Sequence, residues 1–180
     1  MQELSLNILD IAQNSVKAGA TLVRVGVTVE ANALTIEIAD NGCGMSPEFL
    51  QRVTDPFTTT RTTRKVGLGI PLFKQSAEMT GGSFSISSEP GVGTVVRATF
   101  VLDSIDRMPL GDLADTVCSL LYEQIDFVWH YAVDGRSFDF DTREIKAELG
   151  GIPIDSVQVV AFLKSMVEEN IESVNGGRII

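Results

Sequence analysis

Two cysteines, one histidine and one tryptophan are all that 180 residues supply of those types. Cys43 and Cys118 are too few for a disulfide framework and lack metal-ligand spacing, so free thiols are expected. No apolar run approaches the length of a membrane span, and Glu3 and Asp10 stand where a secretory signal would need a basic and then apolar stretch. No membrane partner and a cytoplasmic setting are the expectation. Basic residues are the minority: 14 Lys and Arg against 24 Asp and Glu, a formal charge of −10. That balance argues against nucleic acid as the main partner.

The deficit is uneven. Residues 1–102 hold 8 basic and 9 acidic residues, and residues 103–180 hold 6 and 15. The shift falls at "VLDSIDRMPLGD", which is read as the boundary between a domain at 1–102 and an acidic extension at 103–180. Hydrophobic residues make up 44%, enough for a core.

Over residues 3–17, Leu4, Ile8, Leu9, Ile11, Ala12 and Val16 share one arc of a helix. Glu3, Asn7, Asp10, Asn14 and Lys17 fall on the opposite arc. Asp10 and Asn14 are one turn apart and project from one face; a solvated polar stripe would look the same. Gly19 suits the helix end. "TLVRVGVTVE" and "ALTIEIAD" alternate strictly and read as an antiparallel hairpin. A short helix follows at "SPEFLQRV". "TDPFTTTRTTRKVGLG" has no period, "IPLFKQSAEMT" is helical, and "SFSISS" and "TVVRATFVL" are strands around the turn "EPGVG". The expected fold class is α+β, a two-layer sandwich with helices on one face of a mostly antiparallel sheet. The extension reads as a helix near 110–122, a hairpin, and helices near 142–149 and 155–173.

Three glycine-marked stretches bear on chemistry. In "IADNGCGM", Asp40 follows a strand and precedes Gly42 and Gly44, a carboxylate placed to meet a flat ligand edge-on; an ordinary turn would use the same residues. In "VGLGIP", Gly67, Leu68 and Gly69 precede a helix start, where free N–H groups favour phosphate. "EPGVGTVV" puts Thr94 on the last strand of the domain. Each alone is weak.

Together, in this order, these stretches resemble the nucleotide site of the GHKL superfamily, the Bergerat fold shared by gyrase-type topoisomerases, the large heat-shock chaperone, histidine kinases and mismatch-repair ATPases. "LDIAQNSVKAGA" resembles its N box, "DNGCGM" its first glycine box, "DPFTTTR" its F box, and "VGLGIPLFKQSAEMTGGSFSISSEPGVGTVVRATF" its second glycine box and domain end. The likeness covers about residues 3–102 and is closest to histidine-kinase catalytic domains. It implies that Asn14 coordinates a magnesium ion bridging the ATP phosphates. It implies that Asp40 accepts from the adenine amino group, with Gly42, Gly44 and Met45 shaping the pocket and Thr94 assisting. Gly67, Leu68 and Gly69 would bring backbone N–H groups to phosphate, with Lys17 facing it. The basic lid at 51–66, with Arg52, Arg61, Arg64 and Lys65 against Asp55, would close on the triphosphate, Arg61 and Lys65 contributing directly.

Asp10 departs from the kinase pattern, which has asparagine there. The hydrolases and serine-protein kinases of the superfamily have glutamate as general base; here the carboxylate is one methylene shorter. His130 is expected in a strand, with a structural or surface role. A helix-turn-helix cadence at 142–166 carries too little positive charge for DNA. Three readings follow: γ-phosphoryl transfer to a separate protein docked on the extension, an ATP-hydrolysing switch with Asp10 as base, or a nucleotide-binding regulatory module without catalysis.

Overall fold

The computed structural model describes residues 2–55 and 68–180. The elements in chain order are α1 (Leu4–Lys17), β1 (Leu22–Glu30), β2 (Ala33–Asp40), α2 (Pro47–Val53), α3 (Gly69–Met79), β3 (Ser83–Glu89), β4 (Gly93–Val101), α4 (Leu113–Ser119), β5 (Asp126–Val133), β6 (Arg136–Asp141), α5 (Thr142–Leu149) and α6 (Val157–Asn175). The strands form one six-stranded sheet ordered β3-β4-β2-β1-β5-β6. Every pairing is antiparallel except β1 with β5, which is parallel.

Period-two alternation decides which face is buried. Val23, Val25, Val27 and Val29 of β1, Leu34, Ile36 and Ile38 of β2 and Phe127, Trp129, Tyr131 and Val133 of β5 point to one side and are buried. Helices α1, α3, α4 and α6 pack on that side, with Phe73 of α3 against Phe100 of β4 at a ring separation of 5.6 Å. The other face is polar, with Arg97 of β4 paired to Glu37 of β2 at 2.9 Å. The two-layer α+β sandwich expected from the alternation is the observed architecture, and β5–β6 continue the same sheet.

Helix α1 is gripped at its start by residues beyond 103. A helix leaves its first N–H groups without intrahelical partners, and Glu3 gives no side-chain cap. Instead the N–H of Leu4 donates to the carbonyl of Pro109 at 3.0 Å and that of Ser5 to Leu110 at 2.8 Å. The buried Thr116 hydroxyl donates to the carbonyl of Ser5 at 3.2 Å.

Three local expectations need correction. Asn7 is not on a solvated arc but buried at 1% exposure, because α1 is flanked by α3 and α4 as well as the sheet; Ser5 and Ser15 are buried for the same reason. Its Oδ1 is one of two buried side-chain polar atoms without a partner among the described residues, the other being Trp129 Nε1. Residues 51–53, assigned to the lid, close α2, which is capped by Ser46 accepting from the N–H of Phe49. The helix expected near 110–122 spans only Leu113–Ser119.

Candidate functional site

The site grows from the end of β2. Asp40 is opposite Thr94 of β4, and Thr94 is opposite Ser88 of β3, so three polar residues stand in one row across three strands. The Asp40 carboxylate is held at both oxygens. The Ser15 hydroxyl, from the last full turn of α1, donates to Oδ2 at 2.6 Å, and the N–H of Gly42 donates to Oδ1 at 2.8 Å. Both contacts consume donors, so the carboxylate presents its remaining lone pairs as a fixed acceptor.

The loop after β2 is threaded between α1 and the β3–β4 turn. The N–H of Cys43 donates to the carbonyl of Ala18 at 2.9 Å, and that of Gly91 to the carbonyl of Cys43 at 2.8 Å. Such close threading requires glycine. A Cβ at Gly44, whose φ is +68°, would lie 2.0 Å from the carbonyl oxygen of Glu89, and one at Gly42 would lie 2.9 Å from the Ala18 methyl.

Between loop, row and helix lies a cavity of about 530 Å³, the size of a site for a small ligand. Asn14, Lys17, Asp40, Gly44, Met45 and Thr94 are brought together in its wall. Its apolar side comes from Ile11, Ile38, Phe49, Val53 and Ile70. A flat apolar-faced ring with a hydrogen-bonding edge matches this combination of greasy walls and one fixed carboxylate.

Asp10 and Gly69 are not among the residues that line this cavity, but they stand against each other. A Cβ at Gly69 would be 1.9 Å from Asp10 Oδ2. The carboxylate therefore stands at the N-terminus of α3, where the helix dipole favours negative charge. Leu68 is the exposed N-cap residue there and makes no side-chain cap. Arg61, Arg64, Lys65 and Gly67 lie outside the described residues. The donor set suits a hard cation: Asn14 lines the cavity, with Asp10 one helical turn before it. Among the described residues no group of three or more His, Cys, Asp or Glu side chains forms a cage. Magnesium, which keeps several waters and takes few protein ligands, needs no such cage.

His130 is on the opposite face of the sheet, beside Gly26 of β1, with Nδ1 2.7 Å from Asp139 Oδ1. Trp129 and Tyr131 on either side of it are core residues; burial pushes the Tyr131 hydroxyl up to about 12 although it hydrogen-bonds Asn175. Sequence reasoning did not single out Ser15 or Ser88. The signal was position: Ser15 adjoins Asn14, and Ser88 ends the alternation of "SFSISS" on the same parity as Phe84 and Ile86.

Residues 1–104 match the family described as histidine kinase-, DNA gyrase B-, and HSP90-like ATPase. A putative sensor protein of Shewanella frigidimarina (strain NCIMB 400) is 33% identical over 109 residues, 58% of this chain and 17% of that protein. An uncharacterized sensor-like histidine kinase of Rhizobium meliloti (strain 1021) is 34% identical over 57% of this chain and 20% of its own length. Sensor protein kinase FleS of Pseudomonas aeruginosa is 36% identical over 60% of this chain and 27% of its own. The chain thus matches less than a third of the length of these relatives. Among solved structures, the N-terminal domain of a DNA repair protein superposes with a TM-score of 0.52 at 12% identity, over 77% of this chain and 52% of the other. At that identity the likeness is one of fold. It covers more of the chain than the 104 residues of the family match.

Proposed function

Since the chain belongs to the family of histidine kinase-, DNA gyrase B- and HSP90-like ATPases, we propose that its cavity binds Mg–ATP and that the protein passes the γ-phosphoryl group to a separate partner protein. The observation that carries the nucleotide assignment is Asp40, locked by Ser15 and Gly42 as an acceptor at the cavity wall. In this reading Asp40 takes a hydrogen bond from the exocyclic amine of adenine, Met45 lies against the ring, and Thr94 serves the neighbouring ring nitrogen. Asn14 offers its amide oxygen to magnesium, which when bound offsets phosphate charge. Lys17, at the same end of α1, faces the phosphates. Arg61, Lys65 and the backbone of Gly67, Leu68 and Gly69 complete the phosphate side.

Transfer requires an acceptor oxygen or nitrogen to attack the γ-phosphorus as its bond to the β–γ bridging oxygen breaks, releasing ADP. A hydroxyl acceptor must also give up its proton, and in this reading Asp10 is the carboxylate that receives it. The acidic segment 103–180 is the docking surface for the acceptor in this reading, and a cytoplasmic setting goes with it. ATP hydrolysis is the second reading, favoured by Asp10 standing at the first turn of α3, where it could equally take a proton from water. Calorimetry with Mg–ATP, on wild type and Asp40→Ala, tests the nucleotide site: equal affinity of the two would remove it. Incubation with γ-labelled ATP, with and without candidate acceptor proteins, separates transfer from release of phosphate.

A further inference from the structure

Ser88 is behind the cavity wall, not in it, yet it touches three parts of the site. Its Oγ accepts from the N–H of Met45 at 2.8 Å, lies 2.8 Å from Thr94 Oγ1, and lies 3.0 Å from the carbonyl oxygen of Gly93. Hydrogen arithmetic limits what this cluster can do. A serine hydroxyl has one proton and two lone pairs. One lone pair is taken by Met45, so Ser88 can give its proton to Gly93 or to Thr94, but not to both.

The two arrangements leave Thr94 with opposite polarity. When the Ser88 proton goes to Gly93, Thr94 donates to Ser88 and turns a lone pair toward the cavity. When it goes to Thr94, the Thr94 proton is free to point into the cavity. Asp40 has no such freedom, because Ser15 and Gly42 both donate to it. Next to a fixed acceptor that takes the adenine amine, the adjacent ring nitrogen is an acceptor and needs a donor. Only the second arrangement supplies one.

Resting on the reading of the cavity as a nucleotide site, we infer that Ser88 is a positioning and specificity-determining residue: it ties the Met45 loop to Thr94 and turns the Thr94 hydroxyl outward as the donor that selects adenine. The Met45 N–H reinforces this relay, since an accepted hydrogen bond strengthens the one donated by the same hydroxyl. Ser88 touches no ligand itself and acts through Thr94 and Met45.

The test is a cycle read by calorimetry of the full chain with Mg–ATP and with its 1-deaza analogue, in which the ring nitrogen beside the amine is CH. Ser88→Ala is expected to weaken ATP binding roughly three- to tenfold. It should change binding of the 1-deaza nucleotide less than twofold, and should lose most of its effect when Thr94 is already Val. Ser88→Thr, which keeps the hydroxyl, should restore wild-type affinity for ATP. Equal weakening toward both nucleotides, full additivity with Thr94→Val, or no weakening would overturn the inference. If Ser88→Ala does not fold, Ser88→Cys carries the same cycle with a feebler donor and acceptor. Asp40→Ala keeps the two claims apart: wild-type ATP affinity in that variant removes the nucleotide site itself, whereas weakened binding there with an inert Ser88→Ala removes only the relay.

Discussion

Asp10 of α1 and Gly69 of α3 are in contact through a gap that only glycine leaves open, a Cβ at 69 falling 1.9 Å from Asp10 Oδ2. The sequence suggests a carboxylate one methylene short of the hydrolase base; the fold brings α3 to it instead. Gly69→Ala must push Asp10 aside. Phosphoryl transfer or hydrolysis is expected to fall about as far in Gly69→Ala as in Asp10→Asn, roughly 10²–10⁴-fold for loss of a positioned base. Asp10→Glu, whose longer arm must fold away from Gly69, should be intermediate. Turnover measured beside ATP affinity in the three variants decides this. An Asp10→Asn protein as active as wild type would show that Asp10 is not the base.

In the proposed reading, nucleotide binding turns on the carboxylate of Asp40 as acceptor. A hydrogen bond to a charged group is worth about 1.5–3 kcal/mol. Asp40→Ala should therefore weaken Mg–ATP roughly ten- to a hundredfold. Ser15→Ala leaves the carboxylate but frees it to rotate, and a smaller loss is expected, near threefold. The order Asp40→Ala, Ser15→Ala, wild type in measured Kd is the outcome to look for, and reversal of the two variants would contradict the role given to Ser15.

The elements could be read from sequence because their signals are local. The valines of β1, the alternation of β2 and the helical arc of α1 each need only their own residues to be seen. Asp40, Asn14 and Thr94, singled out as parts of motifs with fixed spacing, come together in one cavity wall. What escaped was whatever tertiary neighbours decide. Asn7 reads as polar surface until α3 and α4 close around α1. Ser88 is unremarkable in "SFSISS" until β4 sets Thr94 opposite it. The shift of charge near residue 103 is real, yet no sequence pattern announces that β5 will pair in parallel with β1. That parallel register is long-range and leaves no periodic mark on either strand.

The two thiols offer an independent probe of the cavity. Cys43 is exposed and lines the cavity, whereas Cys118 is partly buried and its thiol is pushed up to about 11, chiefly by burial. At pH 8 roughly one Cys118 in a thousand is then a thiolate, the reactive form. A maleimide should label Cys43 first, and Mg–ATP should slow that labelling while leaving Cys118 unchanged. Mass mapping of the modified peptide with and without nucleotide is the measurement. Labelling of Cys43 at the same rate in both would contradict a ligand seated against the glycine loop.

Acid should loosen the far edge of the sheet through Asp141. This residue caps α5, accepting from the N–H of Arg143 at 3.0 Å and from its guanidinium at 2.8 Å. The side-chain hydrogen bond from Arg143 holds the Asp141 carboxyl below its ordinary value. A carboxylate whose value is lower in the folded than in the unfolded chain adds stability above the unfolded value, near 3.9, and that contribution fades as pH falls through the lower folded value. Arg143 is half exposed, so the ion pair itself adds little and the cap supplies most of the effect. Asp141→Ala should cost about 1 kcal/mol in chemical denaturation at pH 7. The gap should hold from pH 8 to pH 5 and narrow below about pH 4, where the wild-type side chain takes up its proton. Asp141→Asn keeps a capping oxygen without the charge and should stay closer to wild type at every pH. A gap between wild type and Asp141→Ala that widened on acidification would reverse the sign and assign the stabilisation to the protonated carboxyl.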